Sequence, residues 1–414
     1  MIRTAVLSAA VFAISVSGNL SSPATDTAAD PISEWSVAAS SAAAASGMAP
    51  FRTPLTLAIV HLAMYDAVVN VTRDYQPYAV KLRAAAGASA AAAATEAGYR
   101  VLLNEFPTQQ AALDATYEKL LANERTSEAK RNGMKIGAEV ARRLLSTRAT
   151  DGRNAGIPYA TGSGPGTWMP TPPGMLPVTT AFLARVTPFT MTSVAQFRPS
   201  GPPPLTSRKW ATEYNEVKAL GAKDGSTRST EQTATALFWE PPAGTVWTAT
   251  IRRLAREQAL DLSASARFQA AAFAAFADGL IACWDAKFHF NCWRPVTAIR
   301  QGDADRNPLT VPDKSWEPLA VTPNFPEYPS GHACATAAVT HTIESFFQQK
   351  VQIPARNIIT GEERLYSRAA DIVDEVIEAR MLLGVHFRAA DADGAEMGRQ
   401  IARQIRRHWF GRVR

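Results

Sequence analysis

The chain has 414 residues, of which 46% are hydrophobic and 19% are charged, so it is long and apolar enough to fold around a substantial core. This composition excludes an intrinsically disordered protein, which would carry fewer apolar and more charged residues. The net charge is +6, from 43 basic and 37 acidic residues. Such an excess favours an anionic substrate, but it is too mild to indicate a nucleic-acid-binding protein.

Residues 1–28 have the features of a secretory signal peptide and leader. Arg3 precedes a short apolar run that ends at Ser17, and small residues suited to cleavage follow as far as Ala29. The run is too short to cross a membrane, and no later stretch has 18 uninterrupted apolar residues. We therefore predict a periplasmic or secreted protein with no transmembrane segment in its mature chain.

Residues 31–150 are predicted to form an N-terminal helical part. The Ala/Ser-rich residues 31–48 lead into the first ordered helix, and the apolar stretch 53–71 predicts that this helix is buried. Further helices are expected where Ala and Leu recur with charges spaced to one side, over residues 84–105, 110–123 and 127–146. No alternating pattern typical of β-strands stands out beside them.

Residues 151–206 differ in character, because prolines occupy eleven positions. Each proline fixes φ and removes a backbone donor, which excludes regular helix. Trp168, Phe182 and similar residues are too apolar for a free linker. The stretch is therefore predicted to be an ordered loop that covers the core.

Residues 207–414 return to helical patterning and are predicted to form a catalytic helical bundle. Helices are expected over residues 210–220, 230–239, 249–286, 333–349, 364–383 and 394–409. The predicted fold class is all-α.

Three segments of this bundle carry residues suited to binding an oxyanion. In the first, Lys287 and Arg294 lie seven positions apart in an aromatic, apolar stretch. On one helix they would share a face, about 10 Å apart along the axis. Buried cations require a partner, and a phosphate-like anion would supply it.

The second segment, Ser330-Gly331-His332, leads into an Ala-rich predicted helix. The serine hydroxyl and the glycine amide at a helix start suit an anion, and His332 could transfer a proton to or from it. The third segment carries Arg380, whose guanidinium suits a tetrahedral oxyanion, and His386, a nucleophile or metal-ligand candidate. Gly384 is predicted to end the helix and turn His386 inward.

The motifs KFHFNCWRP, PSGH and ARMLLGVHFRAAD together resemble the signatures of the type-2 phosphatidic acid phosphatase superfamily, which includes the vanadium-dependent haloperoxidases. Trp284 and the run from Phe325 to His332 resemble the haloperoxidase branch, as do VHLAMYDAV and QFRPSGPPPL upstream. The motifs span residues 284–391, and a weaker likeness covers about residues 53–410. The resemblance implies helical bundles of the vanadium chloroperoxidase and acid phosphatase type.

The resemblance also implies vanadate as cofactor, with hydrogen peroxide and halide as substrates and hypohalous acid as product. Lys287, Arg294 and Arg380 would neutralise the equatorial vanadate oxygens, with help from Ser330 and the Gly331 amide. His386 would bind vanadium at one apex, His332 would be the acid–base at the other, and Trp284 and Phe325 would line the halide pocket.

The sequence departs from the family pattern at two positions. Ala379 stands where the family has Ser or Thr, and Asp391 follows His386 by five positions instead of four. Asp391 is therefore not expected to orient His386 as its family counterpart would. An acidic partner for Arg380 is also expected, and Glu240 is the candidate.

Two other functions stay open from the sequence. A soluble acid phosphatase could use the same residues on a phosphate ester, with His386 attacking phosphorus and His332 protonating the leaving group. A non-catalytic oxyanion-binding or structural helical protein is the third possibility, although binding alone would not need both histidines. Cys283, Cys292 and Cys334 do not make a disulfide framework, and one bridge among them stays open.

Overall fold

The structure is a computed structural model that describes residues 30–122, 124 and 127–413. The predicted signal peptide and leader, residues 1–28, lie outside the described residues. The described residues form a mostly helical fold, as predicted, with one two-stranded antiparallel sheet. The α-helices are α1 (Pro31–Ala45), α2 (Thr53–Thr72), α3 (Ala90–Glu105), α4 (Gln110–Ala122), α5 (Glu128–Arg148), α6 (Arg208–Leu220), α7 (Thr230–Phe238), α8 (Ala243–Glu257), α9 (Leu262–Phe290), α10 (Pro295–Arg300), α11 (Gly331–Phe347), α12 (Ala369–Leu382) and α13 (Arg388–His408). Short 3-10 helices cover Pro107–Gln109, Ala181–Arg185 and Gly302–Asp305, and the strands are β1 (Ile353–Arg356) and β2 (Glu363–Tyr366).

The Ala/Ser-rich residues after Asp30 are the first helix, α1, and the prediction that they only lead into one was wrong. The Asp30 carboxylate caps this helix by accepting from the amides of Ile32 and Ser33, at 3.1 and 3.3 Å. Alanine has the highest helix propensity of all residues, and Ile32 and Trp35 anchor the helix in the core.

Several predicted helices have different bounds in the structure. Residues 84–89 precede α3, because Ser89 caps that helix through the amide of Ala92. The single helix predicted over 249–286 is two, since Ala259 adopts a positive φ and Asp261 starts α9. The helix predicted from residue 364 begins at Ala369, because Glu363–Tyr366 pairs with β1 instead.

Helices α2 and α9 form the centre of the main core and pack against each other. Both are long and apolar enough to cross a membrane, but 89% of the α2 window and 94% of the α9 window are buried inside the protein. Burial on all sides explains why neither helix is strongly amphipathic, as expected for the core helices of a large helical protein.

The motif-bearing segments meet where α9, α11, α12 and α13 pack together. Helix α11 contacts all three of the others, and its closest packing is against α13. Gly394 of α13 allows this approach, since a Cβ there would lie 2.6 Å from the backbone oxygen of Ser330. Close helix packing therefore holds the Ser330 segment against the chain that follows His386.

Residues 151–206 contain no α-helix and lie against α9. The carboxylate of Asp278 in α9 accepts from the amides of Phe189 and Thr190, both at 2.7 Å. The Trp284 indole donates to the Thr180 hydroxyl at 2.8 Å. These contacts tie the Pro-rich segment to the helix that carries Lys287. The division of the chain at residues 150 and 206 stays a prediction.

Candidate active site

Lys287 lies in the last turn of α9 and is buried. Its Nζ donates to three backbone oxygens of the segment before α11: Pro326 at 2.9 Å, Glu327 at 2.9 Å and Pro329 at 2.5 Å. An ammonium group has three protons, so contact with an oxyanion would require exchange of one of these bonds. Burial lowers the pKa of Lys287 to about 8.

Arg294 is not on the same helix as Lys287, contrary to the prediction. Helix α9 ends at Phe290, Asn291 adopts a left-handed conformation as its cap, and Arg294 precedes the short helix α10. The chain therefore reverses between the two cations. Arg294 is buried, and it donates from Nε to the Phe325 oxygen at 2.9 Å and from Nη1 to the Val385 oxygen at 2.8 Å.

Ser330, Gly331 and His332 form the start of α11, as the sequence predicted. Ser330 is the N-cap and is buried, with its hydroxyl 3.5 Å from the amide of Ala333. A Cβ at Gly331 would lie 2.9 Å from Cζ3 of Trp284, so only glycine leaves space there. The Gly331 amide, at the start of the helix, has no intrahelical partner and remains available to an anion.

His332 is half-buried, and its Nε2 lies 3.1 Å from the backbone oxygen of Pro241. A carbonyl oxygen only accepts, so Nε2 carries the proton and Nδ1 has the free lone pair. Desolvation and the nearby charge of Arg380 lower the pKa of His332 well below its usual range. The imidazole is therefore neutral near pH 7 and can accept a proton at Nδ1.

Arg380 and His386 lie on either side of the end of α12. The helix ends at Leu382, and Gly384 has a φ of 74°, which confirms that this glycine turns the chain. His386 is 2% exposed, and its Nε2 lies 3.3 Å from Nη1 of Arg294. Burial and the charges of Arg294, Lys287 and Arg380 lower the pKa of His386 well below its usual range.

The three cations have no carboxylate partner at ion-pair distance in the described part of the chain. Arg380 donates to the Trp239 oxygen at 3.3 Å, and Glu240, its predicted partner, is exposed and makes no ion pair with it. Burial lowers the pKa of Arg294 to about 9 and that of Arg380 to about 10. Positive charge is concentrated here at a cost in solvation free energy.

Two guanidinium nitrogens in this region are buried without a hydrogen-bond partner, Nη2 of Arg294 and Nε of Arg380. Buried donors in proteins are rarely left unpaired. Together with the Ser330 hydroxyl and the Gly331 amide, they form a set of hydrogen-bond donors that fits vanadate or phosphate. The unprotonated Nε2 of His386 lies beside them as a lone-pair ligand.

The carboxylate in contact with His386 is Glu327, which the sequence prediction missed. Its Oε1 lies 2.9 Å from Nδ1 of His386 and accepts from the amide of Phe387 at 3.0 Å. Asp391, which follows His386 by five positions, is buried with no hydrogen-bond partner for either oxygen. The sequence feature that could have pointed to Glu327 is its position as the single acidic residue in the segment FPEYPSGH, but only the fold shows which residue it contacts.

Trp284 and Phe325 pack against each other beside Lys287, with ring centroids 5.0 Å apart. Phe51, from the turn before α2, completes this aromatic wall at 4.9 Å from Trp284 and 5.8 Å from Phe325. Lys287 Nζ lies 5.6 Å from the Trp284 ring and 5.2 Å from the Phe325 ring. Phe51 was not predicted, since it lies more than two hundred residues from the motifs in sequence.

All three cysteines are free thiols in the structure. Cys283 and Cys334 are buried, with Sγ contacts to the backbone oxygens of Pro329 and Gly279 at 3.5 and 3.1 Å. Cys292 is half-buried. They support the segments around the site as small apolar residues do.

Fold and site together define a class: a mostly helical protein with a buried, cationic candidate site for an oxyanion beside two histidines. Residues 267–412 match a family model, the VCPO second helical-bundle domain. The chain is 30% identical over 182 aligned residues to the vanadium chloroperoxidase of Curvularia inaequalis, a match that covers 36% of this chain and 30% of that protein. The chain thus matches less than a third of the length of this curated relative.

Two bacterial structures share the fold over most of the chain. A vanadium-dependent iodoperoxidase has a TM-score of 0.77 and 22% identity, with 91% of this chain and 95% of that chain covered. A vanadium-dependent chloroperoxidase in its holo form has a TM-score of 0.68 and 17% identity, with 87% and 92% covered. The family model and the curated relative agree with the resemblance seen in the motifs, and the two structures show that the chain shares their fold.

Proposed function

We propose that this protein is a vanadate-dependent haloperoxidase, which uses hydrogen peroxide to oxidise halide to hypohalous acid. The observation that carries the proposal is the pair of buried, unpartnered guanidinium nitrogens, Arg294 Nη2 and Arg380 Nε, beside the Nε2 lone pair of His386. A phosphatase would need the same donors, and the aromatic wall and the relatives are what favour the haloperoxidase over it. The relatives named above are haloperoxidases.

Vanadate fits the residues present. Its oxygens would be held by Arg294, Arg380, Ser330 and the Gly331 amide, and the charge of Lys287 would act through the carbonyl groups it holds or directly after an exchange of partners. His386 would supply the single protein ligand to vanadium through Nε2. When bound, vanadium(V) acts as a Lewis acid that activates hydrogen peroxide toward halide.

The protein's own groups would manage protons and solvent. His332 accepts a proton at Nδ1, since Nε2–H is bonded to Pro241, and its lowered pKa keeps it neutral and ready as a base. Trp284, Phe325 and Phe51 form the apolar wall beside the cations. A weakly hydrated anion such as bromide can bind where aromatic surface and positive charge meet.

The test is to load purified protein with orthovanadate, add hydrogen peroxide and bromide, and follow bromination of a phenolic dye. In parallel, hydrolysis of a chromogenic phosphate ester is measured without vanadate. We expect bromination in the wild type and its loss in His386→Ala. His341→Ala is the matched control, because His341 lies on the same helix as His332 and outside the site.

If the protein hydrolyses the phosphate ester, vanadate inhibits that hydrolysis and no bromination occurs, the haloperoxidase proposal is overturned in favour of the acid phosphatase. If the protein binds vanadate but shows neither bromination nor ester hydrolysis, a non-catalytic oxyanion-binding protein is the better description. Export to the periplasm or the medium, proposed from residues 1–28, is tested separately by sequencing the N-terminus of the mature protein.

A further inference from the structure

Glu327 is a buried carboxylate placed against the nitrogen of His386 that faces away from the cations. The His386 and Glu327 side chains are 2% and 3% exposed, and their contact is 2.9 Å. The chain on both sides is fixed: the amide of Glu327 donates to the Cys292 oxygen, and its carbonyl accepts from Lys287. The carboxylate is therefore held in place by the backbone as well as by its own contacts.

The surroundings of His386 select one tautomer. Arg294 can only donate, so Nε2 of His386, 3.3 Å from Arg294 Nη1, is unprotonated and turns its lone pair toward the cations. The proton of the neutral imidazole is then on Nδ1, where Glu327 Oε1 accepts it. The same oxygen accepts from the amide of Phe387, which fixes the carboxylate relative to the residue that follows the histidine.

We propose that Glu327 is the positioning residue for His386: it holds the Nδ1–H tautomer and directs the Nε2 lone pair to the bound oxyanion. This inference rests on the proposed function only in taking His386 as the group that bonds to the oxyanion centre. A carboxylate bonded to the outer nitrogen of a histidine ligand fixes its tautomer and orientation and raises its basicity.

A second buried glutamate provides a matched comparison. Glu213 is 6% exposed and accepts from the amide of Ala389 at 3.1 Å, two residues beyond the Glu327 contact at Phe387. Both glutamates line the same cavity of about 230 Å³ beneath the Pro-rich segment. Only Glu327 touches the histidine. Truncation of either carboxylate widens this cavity, but only truncation of Glu327 removes the hydrogen-bond partner of His386 Nδ1.

The test measures equilibrium binding of two anions to the apo-protein. Orthovanadate can bond to Nε2 of His386, whereas inorganic phosphate is held only by the cations and amides. We expect Glu327→Ala to weaken vanadate binding by about 10–100-fold, the usual effect of losing such a partner. Phosphate binding should change by less than about threefold, because its donors do not include His386.

Glu327→Gln keeps an oxygen acceptor at the same position and should restore vanadate affinity to within about fivefold of the wild type. Glu213→Ala should leave the affinity ratio of the two anions unchanged. Nitrogen-15 NMR of the apo-protein should show His386, assigned through His386→Ala, as the Nδ1–H tautomer in the wild type and in Glu327→Gln.

Three results would overturn the proposal: unchanged vanadate affinity in Glu327→Ala, an equal loss of affinity for vanadate and phosphate in that variant, or a wild-type His386 protonated at Nε2. If Glu327→Ala does not fold, the tautomer in the wild type and in Glu327→Gln decides. The binding measurements do not depend on halide oxidation, so a protein without haloperoxidase activity but with this binding pattern would contradict the proposed function and support Glu327.

Discussion

Two regions of this molecule bury guanidinium groups, and they treat the charge in opposite ways. In the N-terminal part, Arg153 pairs with Asp151 at 2.9 Å and with Glu105 at 2.8 Å, and Arg148 pairs with Asp151 at 3.1 Å. Two cations and two carboxylates make this cluster neutral.

In the C-terminal part, Lys287, Arg294 and Arg380 are equally buried but bond mainly to backbone oxygens. Their positive charge is not neutralised by ion pairs in the described part of the chain. The comparison shows that buried charge by itself indicates little. What distinguishes a binding site is charge that the fold leaves without a partner, since an anion can then supply it.

The largest expected effect breaks the neutral cluster. Arg153→Met leaves Asp151 and Glu105 buried without their shared cation, and we expect a loss of about 3–5 kcal/mol in the free energy of unfolding. Arg294→Met removes a cation that makes no ion pair, although the charges of Glu327 and Asp391 act on it. Relief of its desolvation offsets the lost hydrogen bonds, and the net loss stays below about 2 kcal/mol. Urea unfolding of the apo-proteins measures both. Equal destabilisation by the two substitutions would mean that the regions do not differ as described.

A bound anion should also distinguish the two regions. Phosphate or orthovanadate at about 100 times its dissociation constant should stabilise the wild type by about 2.7 kcal/mol, because it binds only the folded state. Arg153→Met should keep this stabilisation although its starting stability is lower, and Arg294→Met should lose most of it. Thermal unfolding with and without the anion gives the comparison. Stabilisation retained in Arg294→Met would place the anion elsewhere.

The smallest expected effect concerns pH. The pKa of Lys287 is lowered to about 8, so the charged fraction of its ammonium group rises as the pH falls through that value, and anion binding is strongest on the acid side. Above it, binding must take up a proton, and the affinity for phosphate should fall by up to about tenfold per pH unit, or about 1.4 kcal/mol. Calorimetric titration from about pH 7.5 to about pH 10 tests this.

Lys287→Arg is the control for the pH prediction, because a guanidinium loses its proton at a higher pH than an ammonium group and should shift the decline in affinity to higher pH. The pKa of Arg294, lowered to about 9, would steepen the decline only at the upper end. A profile that Lys287→Arg leaves unchanged would assign the pH dependence to another group.

The sequence determined the class of fold and most members of the site. Apolar runs at helical spacing predicted the buried helices α2 and α9, and the Pro-rich stretch 151–206 excluded α-helix where the structure has none. The local setting of several residues also pointed to the site. A serine and a glycine precede a helix, a second glycine ends another helix, and the cations lie in apolar stretches.

Only the tertiary structure decided which groups meet. Lys287 and Arg294 converge because α9 ends between them, Phe51 joins the aromatic wall from across the chain, and Glu327 rather than Asp391 reaches His386. Spacing along the chain predicts neighbours on one helix, but it carries no information about contacts between helices. Those depend on how α9, α11, α12 and α13 pack, and that packing leaves the cations unpaired and the histidine held by its carboxylate.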